Sequence, residues 1–293
     1  MNFLKYIKLY ILLSALVIIP GIISLVLYGV NPSIDFVGGS LIEIQVISGE
    51  PKTVEQVTEA IGESYEEQSV QQSGVNQFLI KGSTIANDQK NEVLTSLQAG
   101  LQTEIEELRF ETIGPTLSRE LLIKTLVAVV IVSVIITLYV TKQFKELKYG
   151  VAAVLAMFHD TIVLIGMFSI FGHIYGVEVD VLFVTALLTT LSFSVHDTIV
   201  VFDRIRELRG KHPRAQYKDV LNTAITETLS RSINNSMTII IMLVALSLLG
   251  GDTIKWFSIA LLIGSITGTY SSPFVAVPIL LAWEKIVKGR VKR

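Results

Sequence analysis

Apolar residues gather in six long runs along this chain: Leu9 to Tyr28, Leu121 to Thr141, Gly150 to Phe171, Val181 to Phe202, Ile233 to Gly250 and Phe257 to Trp283. About 20 such residues in a helix cross about 30 Å of hydrocarbon, so each run is read as a membrane span. Between the first and second lies one long polar stretch, Gly29 to Glu120, with a different pattern. Leu41 to Ile47 is a β-type run, and Thr53 to Glu63 has helical spacing opened by a threonine cap and an acidic first turn. Gln68 to Gln72 and Gln77 to Lys81 flank a Ser-Gly turn like a hairpin. A second helix is predicted over Ala86 to Glu107 and a short strand over Leu108 to Ile113. The order βαββαβ is that of a ferredoxin-like fold. The acids Glu63, Glu66 and Glu67, and Glu104, Glu106 and Glu107, are read as solvated helix ends.

The expected fold class is therefore a polytopic α-helical membrane protein with an α+β domain inserted after its first span. Its parts are a first span within 1–28, the domain at 29–120, and a five-span bundle at 121–293 that includes a loop at 203–231. Composition agrees, with 51% hydrophobic and 17% charged residues in 293. Lys5 and Lys8 precede the first run as in a signal peptide. That run is about twice a typical h-region, however, and lacks a small-x-small site before Asn31, so it is read as an uncleaved span. An N-terminus in the cytoplasm places 17 of the 24 lysines and arginines inside. The positive-inside rule then makes both termini cytoplasmic and the α+β domain exterior. The chain has no cysteine, which excludes disulfides, zinc-thiolate sites and a thiol nucleophile.

Ionisable residues inside the spans carry the candidate chemistry. The letters HDTIV occur twice, from His159 to Val163 and from His196 to Val200. Spans three and four run antiparallel, so the copies are not a stacked repeat. Counted from their connecting loop, Asp197 lies about 7 Å deeper than Asp160 toward the cytoplasmic side, at about 1.5 Å per residue. An ionised, unpaired aspartate at that depth costs several kcal/mol, so it takes a proton or finds a cation. Arg231, at the cytoplasmic start of span five, is the best-placed cation; its alternative reading is a snorkelling anchor. Burial favours the protonated acid and a guanidinium favours the carboxylate, and this opposition makes protonation sensitive to small rearrangements. For His159 and Asp160 the reading is a helix-to-helix hydrogen bond within the bundle. Gly264, Gly268 and Ser272 form a small-residue stripe for close helix packing, and Pro273 and Pro278 kink span six. Threonines and serines from Thr185 to Ser194 either pack or line a wet path to Asp197. The stretch from Asp203 to Leu229, with charged and apolar positions interleaved, is expected to form a helix on the membrane surface.

Three stretches resemble one family. Asp180 to Arg206, carrying Ser194-Val195-His196-Asp197-Thr198-Ile199-Val200-Val201-Phe202-Asp203-Arg204, resembles the fourth span of the SecF family of bacterial protein-export subunits. Ile34-Asp35-Phe36-Val37-Gly38-Gly39 and Gly264 to Ser272, including Gly268-Thr269-Tyr270-Ser271-Ser272, are similar to that family too. The resemblance covers essentially the whole chain. It implies a partner SecD, with which the chain forms a twelve-span unit similar to the RND transporters, and association with the SecYEG channel and YajC. It implies use of the proton-motive force to complete export of unfolded preproteins across the cytoplasmic (inner) membrane after the SecA ATPase has acted. By motif position it assigns the proton relay to Asp197 and Arg231 with a carboxylate from SecD. His196, Asp160 and Asp203 are possible supporting residues. Asparagine stands at the position of His196 in some members, which argues against a required histidine. No cofactor, metal or nucleic acid is implied. Two other classes remain as alternatives: a stand-alone RND-type exporter, which predicts two six-span halves, and a metal-dependent hydrolase, which needs three or four converging ligands.

Overall fold

The computed structural model describes residues 2–48, 50–62 and 65–291; Glu63, Lys292 and Arg293 lie outside the described residues. The chain forms two compact units, one of Pro32–Leu126 and one joining Met1–Asn31 with Val127–Arg293. The division falls a few residues beyond the 29–120 limits read from the apolar runs.

In the smaller unit the order is βαββαβ after one opening turn. Helix α1 (Ile7–Tyr28) belongs to the larger unit, and α2 (Ile34–Val37) is that opening turn, where the Ser33 hydroxyl accepts from the Asp35 N–H at 3.2 Å. Gly38 (φ 79°) and Gly39 (φ 128°) follow, backbone angles that a side chain would strain, which explains the glycine pair before the first strand. Then come β1 (Gly39–Val46), α3 (Val54–Ile61), β2 (Glu67–Gly74), β3 (Gln77–Gly82), α4 (Asn87–Leu101) and β4 (Ile105–Ile113). The strands form one antiparallel sheet in the order β2-β3-β1-β4. The period-two alternation of Ile42, Ile44 and Val46, continued by Phe78 and Ile80, buries one sheet face against Val57 and Ile61 of α3 and Val93 and Leu97 of α4. Thr53 and Gln56 form a reciprocal capping box on α3.

Helix α4 ends at Leu101 instead of running to Glu107. Gln102 takes a left-handed conformation (φ 53°), and the chain turns into β4, where Ile105 pairs with Val46 and Glu107 with Ile44. Pairing with the central strand overrides the helical propensity of the glutamates. Glu106 and Glu107 are thus strand residues rather than helix ends, and Glu107 pairs with Lys90 at 2.8 Å.

In the larger unit α1 is joined by α5 (Pro115–Phe144) from Val127 onward, α6 (Leu147–Tyr175), α7 (Val181–Lys211), α8 (Tyr217–Leu249), α9 (Asp252–Ser271), a π-helical turn (Ser272–Ala276) and α10 (Val277–Val291). Among the described residues six helical segments are long and apolar enough to cross a membrane; the sixth, Ile254–Val287, combines α9, the π turn and α10. The π turn sits at Pro273, whose missing N–H and ring bulk disrupt a regular α-helical ladder. The stretch from Asp203 to Leu229 is not a helix lying apart. It is the end of α7 and the start of α8, with residues 212–216 between them.

Close packing relies on small residues. Gly21 of α1 faces Gly166 of α6 backbone to backbone, and Ser24 and Ser169 share a hydrogen bond of 2.9 Å. On α9, Gly264 lies against the Thr190 side chain and Gly268 against the Ser194 backbone of α7.

Candidate functional site

Three polar features lie within the larger unit. The first surrounds Asp197, a residue of α7 that is 8% exposed. It lines a cavity of about 20 Å³ with His196, Asn235, Ser236, Ser265, Gly268 and Thr269, contributed by α7, α8 and α9. That volume admits about one water, and the lining offers it polar partners. Among the described residues Asp197 has no hydrogen bond or salt bridge. Its neighbours His196 and Asn235 are exposed, so the cavity lies beside an open face of the bundle. The Ser265 hydroxyl is buried without a partner. Thr185, Thr189 and Thr190 donate to carbonyls one turn back on α7, at 2.7 to 2.9 Å, so they satisfy their own helix.

The second feature is a network around Asp160, whose side chain is fully buried. Ser194 of α7 and Ser271 of α9 each donate to Asp160 Oδ2 at 2.6 Å. Asp160 Oδ1 lies 2.9 Å from His159 Nδ1, and His159 Nε2 lies 2.9 Å from Ser14 Oγ of α1. Ser14 is 3.3 Å from Tyr270 Oη, which donates to the Tyr10 carbonyl at 2.7 Å. One carboxylate thus ties α1, α6, α7 and α9 together, consistent with the expected helix-to-helix hydrogen bond but more extensive. Sequence reading missed Ser14, Tyr270 and Ser271 as its partners. The signal available was that Tyr270 and Ser271 belong to the small-residue motif of span six. Beside the network, Thr198 and Ser272 share a hydrogen bond of 3.0 Å.

The third feature is a larger cavity of about 490 Å³, lined by Val200, Asp203, Arg204, Glu207, Glu227, Thr228 and Arg231. Arg204 pairs with Glu227 at 2.5 Å and with Glu207. Asp203 sits 3.1 Å from Arg206. Arg231 is exposed and makes no salt bridge among the described residues. It does not touch Asp197 here. The two are nonetheless one helical turn from shared ground: Arg231 precedes Asn235, which lines the Asp197 cavity, by four residues, and Val200 of the Arg231 cavity follows Asp197 by three. Among the described residues no three His, Asp or Glu side chains converge as metal ligands.

Residues 93–286 match the family described as protein export membrane protein SecD/SecF, C-terminal, and residues 23–46 match the SecD/SecF GG motif. The protein translocase subunit SecF of Thermobaculum terrenum is 40% identical, over 94% of this chain and 91% of that protein. The SecF subunit of Anaerolinea thermophila is 38% identical over 97% of this chain and 94% of its own length. The fused SecDF of Bacillus subtilis is 34% identical over 94% of this chain and 37% of that protein. The crystal structure of SecDF from Thermus thermophilus, described as a translocon-associated membrane protein, superposes with a TM-score of 0.87 at 30% identity. It covers 97% of this chain and 39% of that one, so the chain spans well under half of the fused proteins it matches.

Proposed function

The chain belongs to the SecD/SecF family of protein-export membrane proteins, and on that premise we propose that it couples proton movement to preprotein export through Asp197. The observation that carries this reading is a buried carboxylate with no hydrogen bond or salt bridge among the described residues, facing a water-sized polar cavity at an open side of the bundle. A carboxylate in that position binds a proton or meets a cation that moves to it. Arg231, one turn from the cavity, is that cation. A proton crossing about 150 mV releases about 3.5 kcal/mol, enough to bias a two-state element more than a hundredfold.

The open face beside His196 and Asn235 suits a SecD subunit supplying the second carboxylate of the relay, and the fused SecDF relatives support such a pairing. In this reading the two chains make an RND-type twelve-span unit beside SecYEG and YajC, acting on unfolded preprotein after SecA. It lies in the cytoplasmic (inner) membrane with both termini inside. The Pro32–Leu126 unit is its exterior, ferredoxin-like domain, in keeping with the strand order β2-β3-β1-β4. His196 and Asp203 border the route at either end. The work is transport rather than catalysis.

The test is Asp197→Asn, followed by timing the release of a secreted preprotein from cells with and without an uncoupler. The uncoupler-sensitive share of export is expected to disappear. Unchanged sensitivity sinks the proposal.

A further inference from the structure

The network around Asp160 determines where its hydrogens lie. A carbonyl oxygen only accepts, so the Tyr270 hydroxyl hydrogen is committed to the Tyr10 carbonyl at 2.7 Å. The contact of 3.3 Å between Ser14 and Tyr270 then needs the Ser14 hydrogen, pointing toward Tyr270 Oη. With its hydrogen spent, the Ser14 oxygen accepts from His159, so Nε2 carries a hydrogen across the 2.9 Å contact. On the other side of the ring, Nδ1 and Asp160 Oδ1 are 2.9 Å apart and need one hydrogen between them. Asp160 Oδ2 already accepts from both Ser194 and Ser271. The His159–Asp160 pair therefore holds two hydrogens, one at Nε2 and one between Nδ1 and Oδ1, one more than a neutral histidine beside a carboxylate.

We infer that His159 and Asp160 together form a second proton-binding site of the bundle, separate from Asp197, and that its proton latches α1 to α6 and α9. Removing the proton leaves Nε2 bare. Ser14 must then turn its hydrogen to His159 and release Tyr270, or keep Tyr270 and face Nε2 oxygen to nitrogen. Either way one link between α1 and its neighbours is lost. Among the described residues no other charged side chain pairs with either member. On α1 the facing groups are Tyr10 and Ser14, on α7 Ser194, and on α9 Tyr270 and Ser271. His196 and Asp197 of α7 line the other cavity, and the π turn Ser272–Ala276 has no ionisable side chain. Glu284 and Lys285 of α10 lie more than two helical turns beyond it in sequence.

The test is nitrogen-15 magnetic resonance of the full chain, labelled at histidine in lipid nanodiscs at neutral pH, with His159→Gln to assign the signal. His159 Nε2 is expected to show a directly bonded hydrogen. In Tyr270→Phe, which keeps the ring but frees the Ser14 hydrogen for His159, that coupling should vanish while the variant elutes as the native chain does. A bare Nε2 in the native chain overturns the inference, and so does a coupling that survives in Tyr270→Phe. Asp197→Asn should leave the signal unchanged, which separates this site from the proposed relay.

Discussion

Replacing Gly264 by alanine should pry α9 from α7. A β carbon at Gly264 meets the hydroxyl, methyl and β carbon of Thr190, a fully buried side chain whose hydroxyl is bonded to the Ala186 carbonyl at 2.8 Å. Rotating Thr190 exchanges one clashing atom for another, so the helices must separate. Overpacking of this kind costs about 1–3 kcal/mol, and the rigidity of the obstacle puts this case near the top. Alanine regains about 1 kcal/mol of helix propensity over glycine. The net loss is then about 2 kcal/mol, roughly 30-fold in the folded-to-unfolded ratio. The consequence reaches the polar sites, because Ser265 and Gly268 of the same helix line the Asp197 cavity and Ser271 donates to Asp160. The assay is a double-mutant cycle with Thr190→Gly, measured by denaturant titration in detergent micelles. In the double variant the new methyl occupies the space that Thr190 vacated while the gain in helix propensity remains, so the coupling equals the relieved overpacking, a favourable value of about 3 kcal/mol, well above the roughly 0.5 kcal/mol scatter of additive pairs. If Gly264→Ala is as stable as the native chain, or the two changes simply add, the packing argument fails.

Two further outcomes concern the Pro32–Leu126 unit. Burial pushes the Tyr65 phenol up to about 12, and its hydroxyl donates to the Ser40 and Ser83 carbonyls at 2.9 and 3.1 Å. The folded state holds this proton more tightly than the unfolded chain, where it leaves near pH 10. The associated stability is complete below pH 10 and drains away as pH rises toward 12. Tyr65→Phe should cost about 1 kcal/mol at neutral pH and flatten that alkaline decline, read by circular dichroism alongside phenolate absorbance; a decline equally steep without the phenol contradicts the assignment. At the end of α4, Gln102 holds φ 53°, a conformation that glycine adopts without strain, so Gln102→Gly should raise the stability of this unit by about 0.5–1 kcal/mol in a urea melt. A loss of stability there would show that the side chain contributes something the backbone argument omits.

The spans and the strand order were legible in the sequence because each rests on a local pattern. Runs of apolar residues long enough for a bilayer mark the helices, and period-two alternation with a capping threonine marks the start of the α+β unit. What local pattern missed was decided by distant pairing. Glu104 to Glu107 read as helix, yet β4 is drawn out to complete an antiparallel edge beside β1. Likewise, the charge-rich stretch from Asp203 to Leu229 shows interleaved polarity whether it lies on a membrane or extends two long helices. Only the continuation of α7 and α8 distinguishes the two. Arg231 illustrates the same limit at the site. The sequence made it the best-placed cation for Asp197, but its side chain lines a different cavity.

The repeated HDTIV letters show how small a difference separates a satisfied carboxylate from an open one. In both copies the threonine bonds back to the carbonyl four residues earlier, Thr161 to Met157 at 2.9 Å and Thr198 to Ser194 at 2.8 Å. The side chain on that earlier residue is where the copies part. Ser194, three residues before Asp197, offers its hydroxyl not to its own aspartate but across to Asp160. At the equivalent place before Asp160 stands Met157, buried and with no hydrogen to donate to Asp197. The antiparallel pairing of α6 and α7 therefore makes the second copy a donor to the first without return. Ser271 and His159 complete the set around Asp160, while Asp197 is left against a cavity. A carboxylate held by three contacts is fixed in its orientation, whereas one without partners is not. One motif, read in two directions, thus yields a hydrogen-bonded carboxylate at Asp160 and one without such a partner among the described residues at Asp197.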